Sequence, residues 1–238
     1  MDTAFLRTAI LLGKDGMDRL SKSHVAIFGL GGVGGYCLEA LARSGIGSFD
    51  LIDNDVVDVT NLNRQILAMR STIGRLKTEV AAERVRDINP QAKINIYNIF
   101  YTEESACLFD FSQYDYVIDA VDTVAAKVSL VLHARQSGVK IISCMGMGNK
   151  LDPTAIEVGD IYSTSVCPLA RAMRSVLKKA GVKSLKTVYS KELPANIDTS
   201  LSEKKPSGRP APASCSFVPS VAGLIMAGEI IKELSNGI

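Results

Sequence analysis

The chain has no C-x-x-C pair: its five cysteines, Cys37, Cys107, Cys144, Cys167 and Cys215, are odd in number and widely scattered. That spacing argues against a structural zinc site and a disulfide framework, and it suits a reducing compartment. Long apolar runs are also missing. The longest late one, Val218 to Ala227, is interrupted by Pro219 and Gly223, and at roughly ten residues it is half of what a bilayer core requires. No basic segment followed by a free-standing apolar stretch opens the chain, so no signal peptide is expected. The expected compartment is the cytoplasm, without stable membrane insertion. An excess of either charge is lacking: 27 Lys and Arg against 25 Asp and Glu leave a formal net charge of +2, too small to indicate nucleic acid by itself. No internal repeat is evident.

What is present is a globular composition: 47% apolar residues and 19 glycines in 238 residues, enough for one large α/β domain or such a domain with an appendage. Residues 1-22 have helical spacing in Phe5, Ile10, Met17 and Leu20, interrupted by Gly13 and Gly16. His24 to Phe28 reads as a buried strand, the glycine cluster Gly29 to Gly35 ends it, Tyr36 to Ser44 follows as an amphipathic helix and Phe49 to Ile52 as a second strand. A polar stretch over 56–74 is long for a connection of this kind. A helix is then expected over Arg75 to Ile88, strands over Lys93 to Asn98, Tyr114 to Ala120 and Lys140 to Ser143, and a helix over Ala125 to Gln136. This alternation predicts an α/β, Rossmann-like fold: a mostly parallel sheet with helices on both faces. Residues 23-150 form the nucleotide-binding core. Residues 151-238 form a C-terminal, substrate-binding part, with a basic helix over Leu169 to Ala180, a strand over Lys186 to Ser190, a flexible stretch over 193-213 and a final packed helix from Phe217 to Leu234.

The glycine cluster carries the first chemical signal. In Gly29-x-Gly31-Gly32-x-Gly34 the first glycine permits a tight turn, the middle two let backbone approach phosphate oxygens, and the last allows close packing of helix on strand. Amides at the following helix start then face the anion. Asp53, at the end of the second strand, is placed to accept ribose hydroxyls. Up to this point a nicotinamide dinucleotide and ATP fit equally well. The next stretch, Asn61-x-Asn63-Arg64-Gln65 followed by Lys77, favours the triphosphate, whose leaving group needs fixed cations. Arg64 offers a planar fork and Lys77 a point charge, although both also suit a solvated loop. Asp119 and Asp122 lie at the carboxyl end of the fourth strand, the ligand-binding edge of such sheets. Asp122 is the expected Mg²⁺ ligand through water and phosphate oxygens, with a helix N-cap as its ordinary alternative. Asp119 is expected to support a turn or a neighbour.

On Gly29 to Gly34, Asp53, Thr60 to Ile66, Lys77 and Asp119-Ala-Val-Asp122-Thr123 the chain resembles the ubiquitin-activating-type superfamily of adenylating enzymes. Within it, Ala40 to Gly47, Asn63-Arg-Gln-Ile66, Ile88-Asn-Pro90, Asp152-Pro-Thr154 and Pro168-Leu-Ala170 resemble the family that cyclises threonylcarbamoyl-modified adenosine in tRNA. The resemblance implies that a substrate carboxylate is adenylated by ATP with release of pyrophosphate, and that ring closure then expels AMP. It carries Asp53 over as ribose ligand, Asn63, Arg64 and Lys77 as phosphate contacts, and Asp122 as the metal-associated acid. It also implies a homodimer in which Arg7 reaches the partner's nucleotide, together with a structural monovalent cation and a sulfur-transfer protein as further associates. Cys167 stands where relatives carry aspartate, and no enzyme nucleophile is required, so Cys144, Cys167 and Cys215 need no covalent role.

A tRNA substrate calls for basic surface outside the nucleotide pocket. Arg171, Arg174, Lys178, Lys179, Lys183 and Lys186 are the expected positions, with Lys204, Lys205 and Arg209 behind them and Tyr189 as a stacking residue. Met145 to Asn149 either lines the substrate arm or merely turns the chain. Three other functions remain open: adenylation of the C-terminus of a small sulfur-carrier protein, nicotinamide-dependent oxidation, and a noncatalytic partner role.

Overall fold

In the computed structural model, which describes residues 3–198, 200 and 212–236, the chain builds one seven-stranded sheet. The helices are α1 (Leu6–Lys22), α2 (Gly34–Arg43), α3 (Lys77–Ile88), α4 (Val124–Ser137), α5 (Pro168–Lys179) and α6 (Phe217–Asn236). The strands are β1 (His24–Phe28), β2 (Ser48–Ile52), β3 (Lys93–Tyr97), β4 (Tyr116–Asp119), β5 (Lys140–Cys144), β6 (Ile156–Asp160) and β7 (Lys186–Ser190). They lie in the order β3-β2-β1-β4-β5-β7-β6. Every pairing is parallel except β6 with β7. From β1 the chain winds outward through β2 and β3, then returns to the other side of β1 with β4. The crevice between the carboxyl ends of β1 and β4 is therefore the topological switch point, where open α/β sheets bind ligands.

The central strands are apolar because both of their faces are covered. In β1, Val25 and Ile27 enter a core shared with α2, α3 and α6, while Ala26 and Phe28 enter the opposite core with Phe109, Phe111 and Leu130 of α4. A third cluster, with Met173 and Leu177 of α5, closes the far end of that second face. The final helix is wedged tightly on α2: a Cβ at Gly223 would lie 2.3 Å from the Val33 carbonyl oxygen. Only glycine permits that crossing. Gly138, with φ of 70°, ends α4 in the left-handed conformation expected of a helix C-terminus.

Some expectations shift. Residues 6–22 form two helical segments that meet at Gly13, as its interruption implied, since Gly13 leaves helical geometry at φ 73° and ψ 167°; Gly16, by contrast, stays helical. Helix α3 starts at Lys77 rather than Arg75, because the Arg75 carbonyl is already engaged by Val57 N–H and an isolated bridge pairs Leu76 with Val56. Strand β6 is absent from the pattern read in the sequence. The C-terminal part, 151-238, adds β6 and β7 to the same sheet and lays α6 on α2. Of the stretch 193-213 expected to be flexible, 199 and 201–211 lie outside the described residues, and Lys204, Lys205 and Arg209 with them. No helix among the described residues is long and apolar enough to cross a membrane.

Candidate active site

The loop after β1 is fixed from three sides. Gly29 adopts φ 94°, and a Cβ there would sit 2.7 Å from the carbonyl oxygen of Ala120, just beyond β4. At Gly34 a Cβ would fall 1.8 Å from the Gly29 carbonyl oxygen, so the turn closes on itself only with glycine at that position. Gly31 differs from both. It has no positive φ, and no protein atom lies within 4 Å of where its Cβ would be. The N–H groups of Gly31, Gly32 and Val33 have no acceptor among the described residues. These donors stand at the start of α2, with open space beside Gly31 and with Pro219 and Arg64 beside Gly32, and unpaired amides at a helix start suit an incoming anion.

Asp53 organises the loop. Its Oδ2 accepts from the Leu30 N–H at 2.6 Å and its Oδ1 from the Asp55 N–H at 2.8 Å. Each carboxylate oxygen keeps a lone pair, so Asp53 can hold the loop and still accept from a ribose hydroxyl. Asp55 in turn accepts from Lys77 Nζ at 2.6 Å. Lys77 is 4% exposed and Asp55 is 58% exposed. The lysine is thus sheathed along its stem, and its ammonium rests on a carboxylate open to solvent. Sequence reasoning missed Asp55, although a third acid beside Asp53 and facing a helix-start lysine was a readable signal.

Arg64 is brought to the loop as expected: its Cγ lies 3.5 Å from the Cβ position of Gly32, beside Pro219 at the start of α6. Its guanidinium donates to the Thr60 carbonyl and to Asn63 Oδ1, both at 2.8 Å. Asn63 donates to the Ser214 carbonyl at 2.9 Å, so the segment entering α6 crosses the mouth of the site. Asn61 is buried, and its side chain accepts from the Asp58 N–H, closing the turn that presents Asn63 and Arg64. Gln65 follows, buried, and its Oε1 is without a partner among the described residues. A buried acceptor left unpaired is costly and marks a place where an outside group is missing.

Across the crevice, Asp122 is exposed two residues beyond Ala120, which packs on both Gly29 and Gly34. The N-cap position of α4 is Thr123, one residue beyond Asp122. Asp119 is fully buried and supports its neighbours: it pairs with the equally buried Lys127 at 3.0 Å and accepts from Ser143. Lys127 also donates to Ser143 Oγ at 3.3 Å and the Cys144 carbonyl at 2.7 Å, tying the carboxyl ends of β4 and β5 together. Beyond β5, Asn149 at φ 58° binds the backbone of Ala195 and Ala213, so Met145 to Asn149 anchors the C-terminal part beside the site.

Arg7 does not join this group. It is exposed on the first turn of α1, without a hydrogen bond or ion pair among the described residues. Cys37, Cys144 and Cys167 are buried packing residues: burial pushes the Cys144 thiol up to about 12 and Cys37 higher still, which keeps both protonated near neutrality. Tyr189 is buried and donates to Glu157, which removes it as a stacking platform. Among the described residues no cluster of three His, Cys, Asp or Glu side chains is arranged for a metal.

With this geometry in hand, comparison with known proteins is specific. The model of the ThiF family matches residues 5–237. A tRNA threonylcarbamoyladenosine dehydratase of Bacillus subtilis (strain 168) is 40% identical over 242 aligned residues, covering 98% of this chain and 95% of that protein. The crystal structure of E. coli tRNA N6-threonylcarbamoyladenosine dehydratase, TcdA, in complex with AMP superimposes with a TM-score of 0.89 at 32% identity, over 98% of this chain and 94% of that one. The same enzyme in complex with ATP gives 0.87 at 33% identity with the same coverage. Matched along almost its entire length by family model, sequence relative and solved structures alike, the chain belongs to the ThiF family.

Proposed function

We propose that this chain is an ATP-dependent tRNA threonylcarbamoyladenosine dehydratase acting in the cytoplasm. The observation that carries the reading is the set of N–H donors at Gly31, Gly32 and Val33, unpartnered among the described residues, with no protein atom within 4 Å of the Gly31 Cβ position and with Arg64 beside Gly32. A ligand's phosphates supply the missing acceptors. Similarity to enzymes solved with ATP and AMP supports a nucleotide at that position.

In this reading Asp53 holds the ribose and the loop amides hold the phosphates. Arg64, Asn63 and Lys77 hold the charge that gathers on departing pyrophosphate. Gln65 and the Asn61 turn complete that wall. Mg²⁺ fits as an ion that arrives with the triphosphate, since one carboxylate plus phosphate oxygens and water satisfies it and Asp122 is that carboxylate. The threonyl carboxylate attacks the α-phosphorus, forming a C–O–P linkage as the bond to pyrophosphate breaks. A nitrogen or oxygen of the carbamoyl arm then attacks the activated carbonyl, an N–H of that arm gives up its proton, and AMP departs with the former carboxylate oxygen. The nucleoside thereby loses the elements of one water. No thiolate is needed, in keeping with the buried, protonated Cys144.

A homodimer follows from the same reading. Leu6, Ile10 and Leu11 are exposed at 49%, 78% and 82% on the helix that carries Arg7, and a two-fold interface that covers them delivers Arg7 to the other nucleotide in trans. The test of the function is incubation with ATP, Mg²⁺ and threonylcarbamoyl-modified tRNA, followed by mass analysis of the nucleoside. Loss of one water with stoichiometric AMP is expected. AMP formation that instead requires a small carrier protein and is indifferent to tRNA overturns it.

A further inference from the structure

Between Ile161 and Lys191 the sequence contains no aspartate or glutamate, although it is rich in lysine and arginine. The structure sorts these cations into two groups. Three are used internally: Arg174 donates to the Thr164 carbonyl at 3.0 Å, Lys186 pairs with Glu229 at 2.6 Å, and Lys191 pairs with Glu157 at 2.7 Å. The other four, Arg171, Lys178, Lys179 and Lys183, are exposed, and their side chains have no hydrogen bond or ion pair among the described residues.

At about 100° per residue, Arg171, Lys178 and Lys179 fall within roughly one third of the circumference of α5, opposite buried Ala170, Met173 and Leu177. Lys183, also exposed, follows just past the Gly181 turn, where φ is 71°. A merely solvated helix gains from alternating signs four residues apart, and α5 has none to alternate. Its C-terminal dipole explains Lys178 and Lys179, but Arg171 stands in the first turn, at the end where a cation is disfavoured. The stripe also has a direction. Leu169 Cβ and Cys167 Sγ lie 3.8 and 3.7 Å from the Cβ position of Gly146, in the loop at the carboxyl end of β5. The cations therefore begin beside the active edge and run about 12 Å down the flank of the sheet.

We propose that this face is the docking surface for the phosphate backbone of the tRNA, holding the molecule while its modified nucleotide enters beside Met145 to Asn149. The proposal rests on tRNA being the substrate. A row of unpaired cations on one helix matches a polyanion and contains nothing that reads bases, so it positions RNA without choosing its sequence.

The experiment compares the wild-type chain with Arg171→Gln/Lys178→Gln/Lys179→Gln/Lys183→Gln, measuring tRNA binding by fluorescence anisotropy from about 50 to 200 mM salt. Thermal melting and ATP affinity without RNA should be unchanged. Each lost phosphate contact removes about 0.7–0.9 from the slope of log affinity against log salt, so the variant should lose about 3 in slope and at least tenfold in affinity. In turnover, KM for tRNA should rise while kcat holds. An unchanged slope, or a wild-type chain that does not bind tRNA, overturns the proposal. So does a variant that loses binding to phosphatidylserine vesicles but not to tRNA, which would make the face a membrane contact. If the wild type binds tRNA through this face but does not dehydrate the modified nucleoside, the functional reading fails and the surface stands. Dehydration with an unaffected variant gives the reverse.

Discussion

Two lysines at the same edge of the sheet are held in opposite ways. Lys127 and Asp119 are both fully buried, and the lysine's three contacts join β4 to β5. Lys77 is equally sheathed, but its carboxylate partner, Asp55, is more than half exposed. Water or a competing anion can reach the second pair and not the first. The Lys127 pair is a fixture under the site, whereas the Lys77 pair is a resting position from which an ammonium can turn toward phosphate. The same chemical contact thus serves structure in one place and binding in the other, and solvent access decides which.

The largest effects are expected at the reacting centre. Arg64→Ala and Asp122→Ala are expected to leave the melting temperature near that of the wild type and to lower RNA-dependent AMP formation by about 10²–10³-fold or more, the usual cost of losing transition-state charge stabilisation. Rates unchanged in both variants would remove these residues from the reacting centre. Next in size is the buried pair. Lys127→Met leaves the Asp119 carboxylate alone in the interior and should cost about 3–5 kcal/mol in urea unfolding, while Lys127→Met/Asp119→Asn should regain most of it. Lys77→Met should behave in the reverse manner: a stability change of at most about 1 kcal/mol, because Asp55 is open to water, with ATP turnover strongly reduced. Equal destabilisation by Lys77→Met and Lys127→Met would erase the distinction.

The glycine loop offers the same contrast in steric form. Gly34→Ala drives a methyl into the Gly29 carbonyl, so the loop must move and the protein should melt earlier. Gly31→Ala meets no protein atom. It should melt as the wild type does and bind ATP less well in calorimetry, since its methyl occupies space facing the unpaired amides. A Gly31→Ala variant with unchanged ATP affinity would show that the space above the loop serves no ligand.

Most of the architecture was legible because it is written in local pattern. His24 to Phe28 is a strand whose two faces are both covered, and Gly138 stops α4 where a left-handed residue is needed. Strand β6 was not legible: Ile156-Glu-Val-Gly-Asp160 is half exposed and antiparallel at the sheet edge, so it lacks the apolar run that marks the central strands. In the site, the residues of the glycine loop and Arg64 were readable from motif and converge as expected. The ion pairs were not, since Asp55 with Lys77 and Asp119 with Lys127 are made by folding across elements. Lys127 did leave a trace, because it occupies the stripe of α4 shared with Val124, Leu130 and Val131. A lysine on an apolar stripe needs a buried partner.

The smallest expected effect concerns a third carboxylate, Asp50, which lies in mid-strand on β2 away from the edge. Burial raises its pKa, but hydrogen bonds from His24 at 2.8 Å, Tyr114 at 2.7 Å and Asn95 at 2.7 Å outweigh burial and hold it below the ordinary aspartate range. A carboxyl depressed in the folded state adds stability above its unfolded value, about 3.9, and loses that contribution as pH falls through the folded value. Asn95→Ala removes one of the three donors and should raise the folded value toward the unfolded one. Its acid unfolding should then begin at a higher pH than in the wild type, with little difference at pH 7 beyond the about 1 kcal/mol that a single hydrogen bond contributes. Lys77→Met, whose lost partner is exposed, should leave that acid limb where it was. Acid limbs that shift equally in the two variants would mean that the buried donors around Asp50 do not set its ionisation.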